Sequence, residues 1–382
     1  MIKINNIRDK LNTKQLLYIS WGKWPNKSAN NIQVFQMCHA FQQLGIKTSL
    51  ITSISFIEWL FHRKAVKVRA TKIYGAFNFD LVLIPNRLFV KYKLPVAERK
   101  LYRRFYSLYL RYRVDKRASI YSRDKTAIET ALNLGFSNLF WEVHKPGELG
   151  KIFKNKIKSR IINFKIVVIS KYLWDHWLKE VENTRIKLLL EEDGVQFDEF
   201  QQAIPKDFTK QLGNTNKTIT YCGSLGPGRG LELLQKFALE NLDLNVLVIG
   251  GKPGEFETKY GSSLNLKHLS HISITEVPGF LKASSLLVMP YSDNIFSRDY
   301  MSPLKLYEYL ATGVPVLSSN LPILKEIIER YHCGYLFEHD DFTSFSREVH
   351  KALNSMNDHV INNGKLLAAQ MSWANRCKRI LV

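Results

Sequence analysis

The feature that most constrains this chain is a change of hydrophobic period that recurs along its length. Short apolar runs of strand size alternate with stretches whose apolar residues return every three or four positions. In residues 1–195 the runs predict strands at 15–20, 48–52, 81–84, 120–122, 138–142, 165–169 and 187–190. Between the first two, Ile32, Phe35, Cys38 and Phe41 repeat at helical spacing and predict a helix over 28–44. Such alternation specifies a parallel sheet wrapped by helices. The pattern fades over 196–216, a polar stretch with Pro205 and Gly213, which predicts a linker. It then restarts with strands at 218–222, 244–249, 285–289 and 315–318. The 382 residues suffice for two cores. The expectation is an α/β protein of two Rossmann-like domains, 1–195 and 217–365, facing each other across a cleft.

Several classes are excluded by what surrounds this pattern. The four cysteines, Cys38, Cys222, Cys333 and Cys377, are scattered without a Cys-x-x-Cys pair, so neither a disulfide framework nor a zinc site is signalled. The first fourteen residues have no apolar core and do not read as a secretory signal. The longest apolar runs fall far short of a membrane span. A cytoplasmic protein is expected. Charge divides the chain: residues 1–195 hold 36 Lys and Arg against 15 Asp and Glu, and residues 196–382 hold 19 of each, so the whole +21 excess lies in the first half. The first half is expected to meet something anionic.

Two segments of the second half carry candidate chemistry. Tyr221-Cys-Gly-Ser-Leu-Gly-Pro-Gly-Arg-Gly230 follows a strand and opens a helix. Its glycines let a ligand approach the backbone, the helix N-terminus favours an anion, and Arg229 adds a bidentate donor for phosphate oxygens. The same residues also suit a plain strand-to-helix turn. In Ser302-Pro-Leu-Lys-Leu-Tyr-Glu-Tyr-Leu-Ala-Thr-Gly313, Ser302 is expected as N-cap, Pro303 as first helical residue and Gly313 as stop. Lys305 stands where a capping box would place Glu or Gln, a cation at the positive end of the dipole that a bound diphosphate would relieve. Glu308, one turn on, could accept two hydrogen bonds from a ribose diol. A solvated Lys–Glu pair is the alternative.

At this point the chain resembles a known family. YCGSLGPGRGLELL, VMPYSDN and SPLKLYEYLATGVPVLSSNLPILKEII are similar to the donor domain of the family 4 glycosyltransferases of bacterial surface-polysaccharide type, retaining enzymes with the GT-B fold. SANNIQVFQMCHAFQQLGIKTSLIT, IYSRDKTAIETALNLG, FWEVHKPG, VISKYLWDHWL and EEDGVQFDEF resemble the family's first domain in order, and QMSWANRCKRIL its closing helix. The resemblance implies that residues 366–382 cross back to the first domain. It implies donor-diphosphate contacts at Gly223, Ser224, Arg229, Ser302, Pro303, Leu304 and Lys305, with Glu308 on the ribose. It implies His144 near the transferred sugar, so that His144, Arg229 and Lys305 are the expected catalytic groups. It implies that the loop 21–31, with Gly22, Asn30 and Asn31, covers the reaction centre from the acceptor side.

The departures are specific. Tyr300 stands eight before Glu308 where the family often has a second glutamate, with Asp299 one off register. Ser224 replaces an arginine, and Ala29-Asn30-Asn31 replaces paired glycines. No Asp-x-Asp pair follows a strand, so no metal is expected and the leaving nucleoside diphosphate falls to Arg229, Lys305 and helix N-termini. The implied reaction is metal-independent transfer of a hexosyl or related sugar from a UDP- or GDP-sugar to a glycan or lipid-linked acceptor, with no separate cofactor and no nucleic acid. A non-catalytic partner subunit and a nucleotide-sugar 2-epimerase on the same fold remain open beside it. A nucleic-acid binder has only the charge in its favour.

Three smaller readings complete the set. His144 beside Glu142 is either a site residue or one half of a structural ion pair. His268-Leu-Ser-His271 and His339-Asp340-Asp341 are expected to be structural, the second capping a helix near Phe342. The helix expected over 97–117 spaces Leu101, Phe105, Leu108 and Tyr112 helically, with Tyr102, Tyr106 and Tyr109 beside them and Lys100, Arg103, Arg104, Arg111, Arg113 and Arg117 around them. It is expected to touch an anionic membrane from the inner face, or else to bury its aromatics in the domain core.

Overall fold

A computed structural model describes residues 15–26, 28–87, 95–159, 162–207, 212–296, 298–355 and 357–382. The chain divides into two compact units: Met1–Glu192 with Trp373–Val382, and Asp193–Ser372. The returning segment is thus the helix Trp373–Leu381 alone. It starts later than residue 366, because residues 358–370 form a separate helix of the second unit.

The first unit holds seven strands: β1 (Gln15–Lys23), β2 (Lys47–Ser55), β3 (Asp80–Arg87), β4 (Ser119–Ser122), β5 (Asn138–Val143), β6 (Asn163–Val168) and β7 (Lys187–Leu190). They pair in the order β3-β2-β1-β4-β5-β6-β7, every pair parallel. The order reverses direction between β1 and β4, which makes that point the switch of the sheet. The inner strands are apolar on both faces, as helices on either side require; β4 is buried throughout. The helix Ala29–Gln43 begins where Ser28 accepts a hydrogen bond from the Asn31 amide. The Trp373–Leu381 helix buries Trp373, Arg376, Cys377, Ile380 and Leu381 in this unit, and Lys165 donates to the Ile380 carbonyl at 2.9 Å.

The second unit repeats the plan with six strands: β8 (Thr218–Cys222), β9 (Asn245–Ile249), β10 (Leu266–Leu269), β11 (Leu286–Met289), β12 (Val316–Ser319) and β13 (Tyr335–Phe337). Their order is β10-β9-β8-β11-β12-β13, again parallel, with the switch between β8 and β11. The edge strands β10 and β13 escape the sequence reading. An edge strand needs little apolar patterning, and β10 carries Lys267 and His268.

Three expectations are corrected here. The expected linker is not bare: Phe197–Gln202 is a helix whose Phe200 is buried in the core of the second unit. Phe197 and Phe200, three apart, put both rings on one face of a short turn of helix. Residues 208–211 of that stretch lie outside the described residues. The expected loop 21–31 is shorter, because β1 runs on through Gly22 and Asn30 and Asn31 lie in the first turn of the following helix. Finally, the helix Pro95–Arg113 divides its apolar residues between two faces, so the expected stripe is not buried as one. Tyr102, Tyr106 and Leu110 are buried, whereas Phe105, Leu108 and Tyr112 are exposed among the arginines.

Candidate functional site

In the second unit the carboxyl ends of β8, β9 and β11 converge on the glycine-rich turn. Gly230 has φ +61°, and a Cβ there would sit 1.6 Å from the Pro290 carbonyl oxygen at the end of β11. Only glycine lets β8's turn lie against β11. A Cβ on Gly223 would stand 2.0 Å from Lys305 Nζ, so that glycine opens the space the lysine occupies. Tyr221 donates to the Ser224 carbonyl at 2.7 Å, and the Ser292 amide donates to the Gly228 carbonyl at 3.1 Å, which fixes the loop. Ser224 itself is exposed.

The helix Leu304–Thr312 brings Lys305 and Glu308 to the same place, and Gly313 ends it at φ +77° as expected. Its start differs from expectation. Ser302 is not the N-cap: its Oγ accepts from the Asp193 amide at 2.7 Å, and Pro303 takes the cap position without a side-chain bond. A hydroxyl committed to one backbone donor leaves the helix end to other partners. The Leu304 amide turns back to the Ser302 carbonyl at 2.9 Å.

The charges at this point are unsatisfied. Among the described residues, no ion pair or hydrogen bond engages the side chains of Arg229, Lys305 or Glu308. Arg229 stacks 4.9 Å from the Tyr291 ring centre and Lys305 Nζ lies 5.5 Å from that of Tyr221. Burial pushes the Glu308 carboxyl up to about 7, with the Lys305 charge opposing. A half-buried carboxylate beside two half-buried cations, none paired, is costly in the absence of a ligand and favourable to one that carries phosphate and a diol.

The first unit has its own concavity at its own switch point. It encloses about 580 Å³ and is lined by residues at the carboxyl ends of β1, β4 and β5, including Ser20, Asn30, Arg123, Lys125, Glu142 and His144. The buried Tyr18 side chain also lines it, and its hydroxyl has no hydrogen-bond partner among the described residues. In the cavity wall, the Glu142 side chain is fully buried and saturated. It accepts from Gln33 Nε2 at 2.7 Å, from Arg376 Nη2 at 3.0 Å, from His144 Nε2 at 2.5 Å and from the Tyr121 hydroxyl. Burial alone would raise the Glu142 carboxyl; the Arg376 guanidinium and the His144 bond reverse this and hold it well below the usual carboxylate range. Because a carboxylate only accepts, His144 carries its proton on Nε2 here and keeps Nδ1 as the other ring nitrogen. His144 thus bonds to Glu142 and also lines the cavity.

Arg123 was not legible as a site residue. Its Nη1 donates to Asn30 Oδ1 and Gln33 Oε1, both at 2.5 Å, tying β4's end to the first turn of the Ala29–Gln43 helix. A cation directly after an apolar strand, in Ser122-Arg123-Asp124, was the available signal. Gly22 lies in β1, and Asn31 is buried. Asp299 and Tyr300 lie in the segment before Ser302, where Arg298 pairs with Asp293 at 2.8 Å and approaches Asp299 at 3.8 Å. The histidine clusters have structural partners. His268 bonds to the Gly250 carbonyl and Glu257, and Asp341 caps the helix Phe342–Asn354.

Two parallel, doubly wound sheets, the second with a glycine-rich turn at its switch point, define a class, the GT-B glycosyltransferase fold. HepE of Anabaena, solved in complex with UDP-glucose, superimposes with a TM-score of 0.64 at 13% identity over 96% of this chain and 98% of that one. Residues 204–366 match the family described as glycosyl transferases group 1. That match covers the larger part of the second unit and less than half of the chain. It is 26% identical over 256 residues to a putative teichuronic acid biosynthesis glycosyltransferase, TuaH, of Bacillus subtilis (strain 168), covering 64% of this chain and 62% of that protein. It is also 26% identical over 199 residues to an Escherichia coli UDP-Gal:alpha-D-GlcNAc-diphosphoundecaprenol alpha-1,3-galactosyltransferase, covering 48% of this chain. That match spans 49% of the relative's length.

Proposed function

We propose that this protein transfers a sugar from a UDP- or GDP-sugar to a glycan or lipid-linked acceptor in bacterial polysaccharide synthesis. The observation that carries the reading is the unpaired set Arg229, Lys305 and Glu308 at the switch of the second sheet. Arg229 and Lys305 would hold the diphosphate and stabilise it as it leaves, acting as fixed charges that need no reorganisation. Glu308 would hold the ribose diol. The UDP-glucose bound by HepE and the UDP-galactose named for the E. coli relative support a nucleotide-sugar donor. The diphosphoundecaprenol named for that relative supports a lipid-linked acceptor.

In the first unit, the cavity lined by His144, Asn30 and Arg123 is the proposed acceptor side, with His144 oriented by Glu142. Two cations on the diphosphate make a divalent metal dispensable, and the family resemblance favours retention of the donor's anomeric configuration. The described helices include none long and apolar enough to cross a membrane. A cytoplasmic protein resting on the inner membrane face is the proposed location. The test is transfer from UDP- and GDP-sugars to a lipid-diphosphate glycan, with and without EDTA, and NMR of the product anomeric proton. Transfer that resists EDTA and keeps the donor configuration supports the whole reading. Activity abolished by EDTA and restored by manganese sinks metal independence, and an inverted product sinks retention.

A further inference from the structure

The helix Phe56–Phe61 reads Phe-Ile-Glu-Trp-Leu-Phe, and not one of its residues is buried. Ile57 is 46% exposed, Leu60 51% and Phe61 71%, and in the next helix, Arg63–Tyr74, Val68 is 68% exposed. Isolated exposed apolar residues need no explanation, but a contiguous cluster on one short helix does. The cluster is also held in place. Ser55 and Glu58 form a reciprocal capping box. Glu58 then binds Arg69 at 2.5 Å, and the Arg63 guanidinium stacks 4.1 Å from the Trp59 ring centre. The two helices are thereby locked together with the apolar tip outward.

The surroundings of that tip have one sign. The Arg63–Tyr74 helix buries only Val66, Ala70 and Tyr74. Arg63, Lys64, Lys67, Arg69 and Lys72 all remain exposed. Glu58 is the sole acid from 56 to 74, and its carboxylate is already spent on Arg69. We infer that these two helices form a lipid-docking surface, with Leu60 and Phe61 entering the bilayer and the lysines and arginines meeting anionic headgroups. An exposed apolar tip followed by a helix of exposed cations is the pattern an anionic leaflet rewards. A second copy of the chain would set like charges against each other. A nucleic acid would use the cations and leave Phe61 in water.

This deepens the membrane part of the proposed location and rests on that part alone, not on sugar transfer. It differs from the outward face of the Pro95–Arg113 helix, which is the other candidate. The test is flotation of the full chain with vesicles of phosphatidylglycerol and phosphatidylcholine, no donor present, with circular dichroism as the folding control. Leu60→Ser with Phe61→Ser, both exposed, should weaken binding at least about tenfold at any salt concentration. Lys64→Glu with Lys72→Glu should abolish the part of binding that salt screens. Arg103→Glu, Arg104→Glu and Arg111→Glu together should leave most of the flotation intact. Wild-type flotation by the Leu60/Phe61 variant, or loss confined to the arginine triple variant, overturns the inference. A protein that floats as described but transfers no sugar would contradict the transferase reading and leave this one standing.

Discussion

The two switch points are built to opposite electrostatic rules. In the first unit the buried charge is satisfied from within, with Glu142 accepting hydrogen bonds from Gln33, Tyr121, His144 and Arg376. In the second, Arg229, Lys305 and Glu308 stand at the switch of the sheet with no side-chain hydrogen bond or ion pair among the described residues, and Glu308 is half neutral at about pH 7. A saturated site orients a side chain before anything binds; an unsaturated one gives up stability that a ligand returns. On the proposed reading the first arrangement positions a side chain and the second captures a ligand.

The largest expected effect breaks the saturated site. Arg376→Met leaves the Glu142 carboxylate buried without its main counter-charge, which should cost about 3–5 kcal/mol of stability. Glu142→Gln with Arg376→Met should recover much of that, since neither charge then remains. Urea unfolding of the three proteins decides it. If Arg376→Met unfolds at the wild-type midpoint, the pair does not hold this unit together. By contrast, Lys305→Met and Glu308→Gln should leave the midpoint unchanged or raise it.

Next is the sign of the pH dependence. Glu142 is depressed, so its contribution is fully present above the ordinary carboxylate pKa and is lost as pH falls through the depressed value. Glu308 is raised to about 7, so between its unfolded value and about pH 7 the native state keeps a proton the unfolded chain has released. Stability from Glu308 therefore falls as pH rises through that window, by at most about 3 kcal/mol. Comparing wild type with Glu308→Gln from pH 4 to 8 isolates the term: the variant should gain on wild type as pH rises. A difference that is flat with pH contradicts a raised Glu308.

Ligand binding gives the third contrast. Arg229→Ala and Lys305→Ala should each weaken UDP or GDP binding by about 1.5–3 kcal/mol while leaving free uridine or guanosine little changed. Glu308→Ala should weaken nucleoside and nucleotide alike. Calorimetric titration reads all three, and nucleotide affinity untouched by Glu308→Ala would remove the ribose assignment.

The difference between the sites also explains which was legible. Arg229, Lys305 and Glu308 lie in two short motifs, where local rules of turn glycines and helix ends suffice to raise them. Glu142's partners come from residues 33, 121, 144 and 376. No spacing in the sequence links Arg376 to a strand end more than two hundred positions earlier. Only the return of the last helix to the first unit does so. Ser302 shows the limit in the other direction. Its residue type is right for an N-cap, yet a tertiary donor, the Asp193 amide, claims the hydroxyl. The strands forming the middle of each sheet were readable from their unbroken apolar runs. The edges β10 and β13 were not, since half-exposed strands are free of that constraint.

The smallest expected effect tests whether Lys305 is placed by the glycine it leans on. A Cβ at Gly223 would fall 2.0 Å from Lys305 Nζ and 2.7 Å from the Tyr221 hydroxyl. Tyr221 is buried and bonded to the Ser224 carbonyl, so the lysine end, being flexible, is the group that yields. Gly223→Ala should therefore leave stability near wild type and weaken nucleotide binding by about 1 kcal/mol, part of what losing the lysine contact costs. The decisive measurement is the double variant. If the alanine acts through Lys305, Gly223→Ala adds nothing to Lys305→Ala, because the displaced group is already gone. Gly230→Ala supplies the contrast. Its Cβ would meet the Pro290 backbone at 1.6 Å from a φ of +61°, so it should destabilise the second unit whether or not Lys305 is present. Full additivity of Gly223→Ala with Lys305→Ala would mean that the turn contacts the nucleotide by itself, and the lysine would lose its claim to be positioned by Gly223.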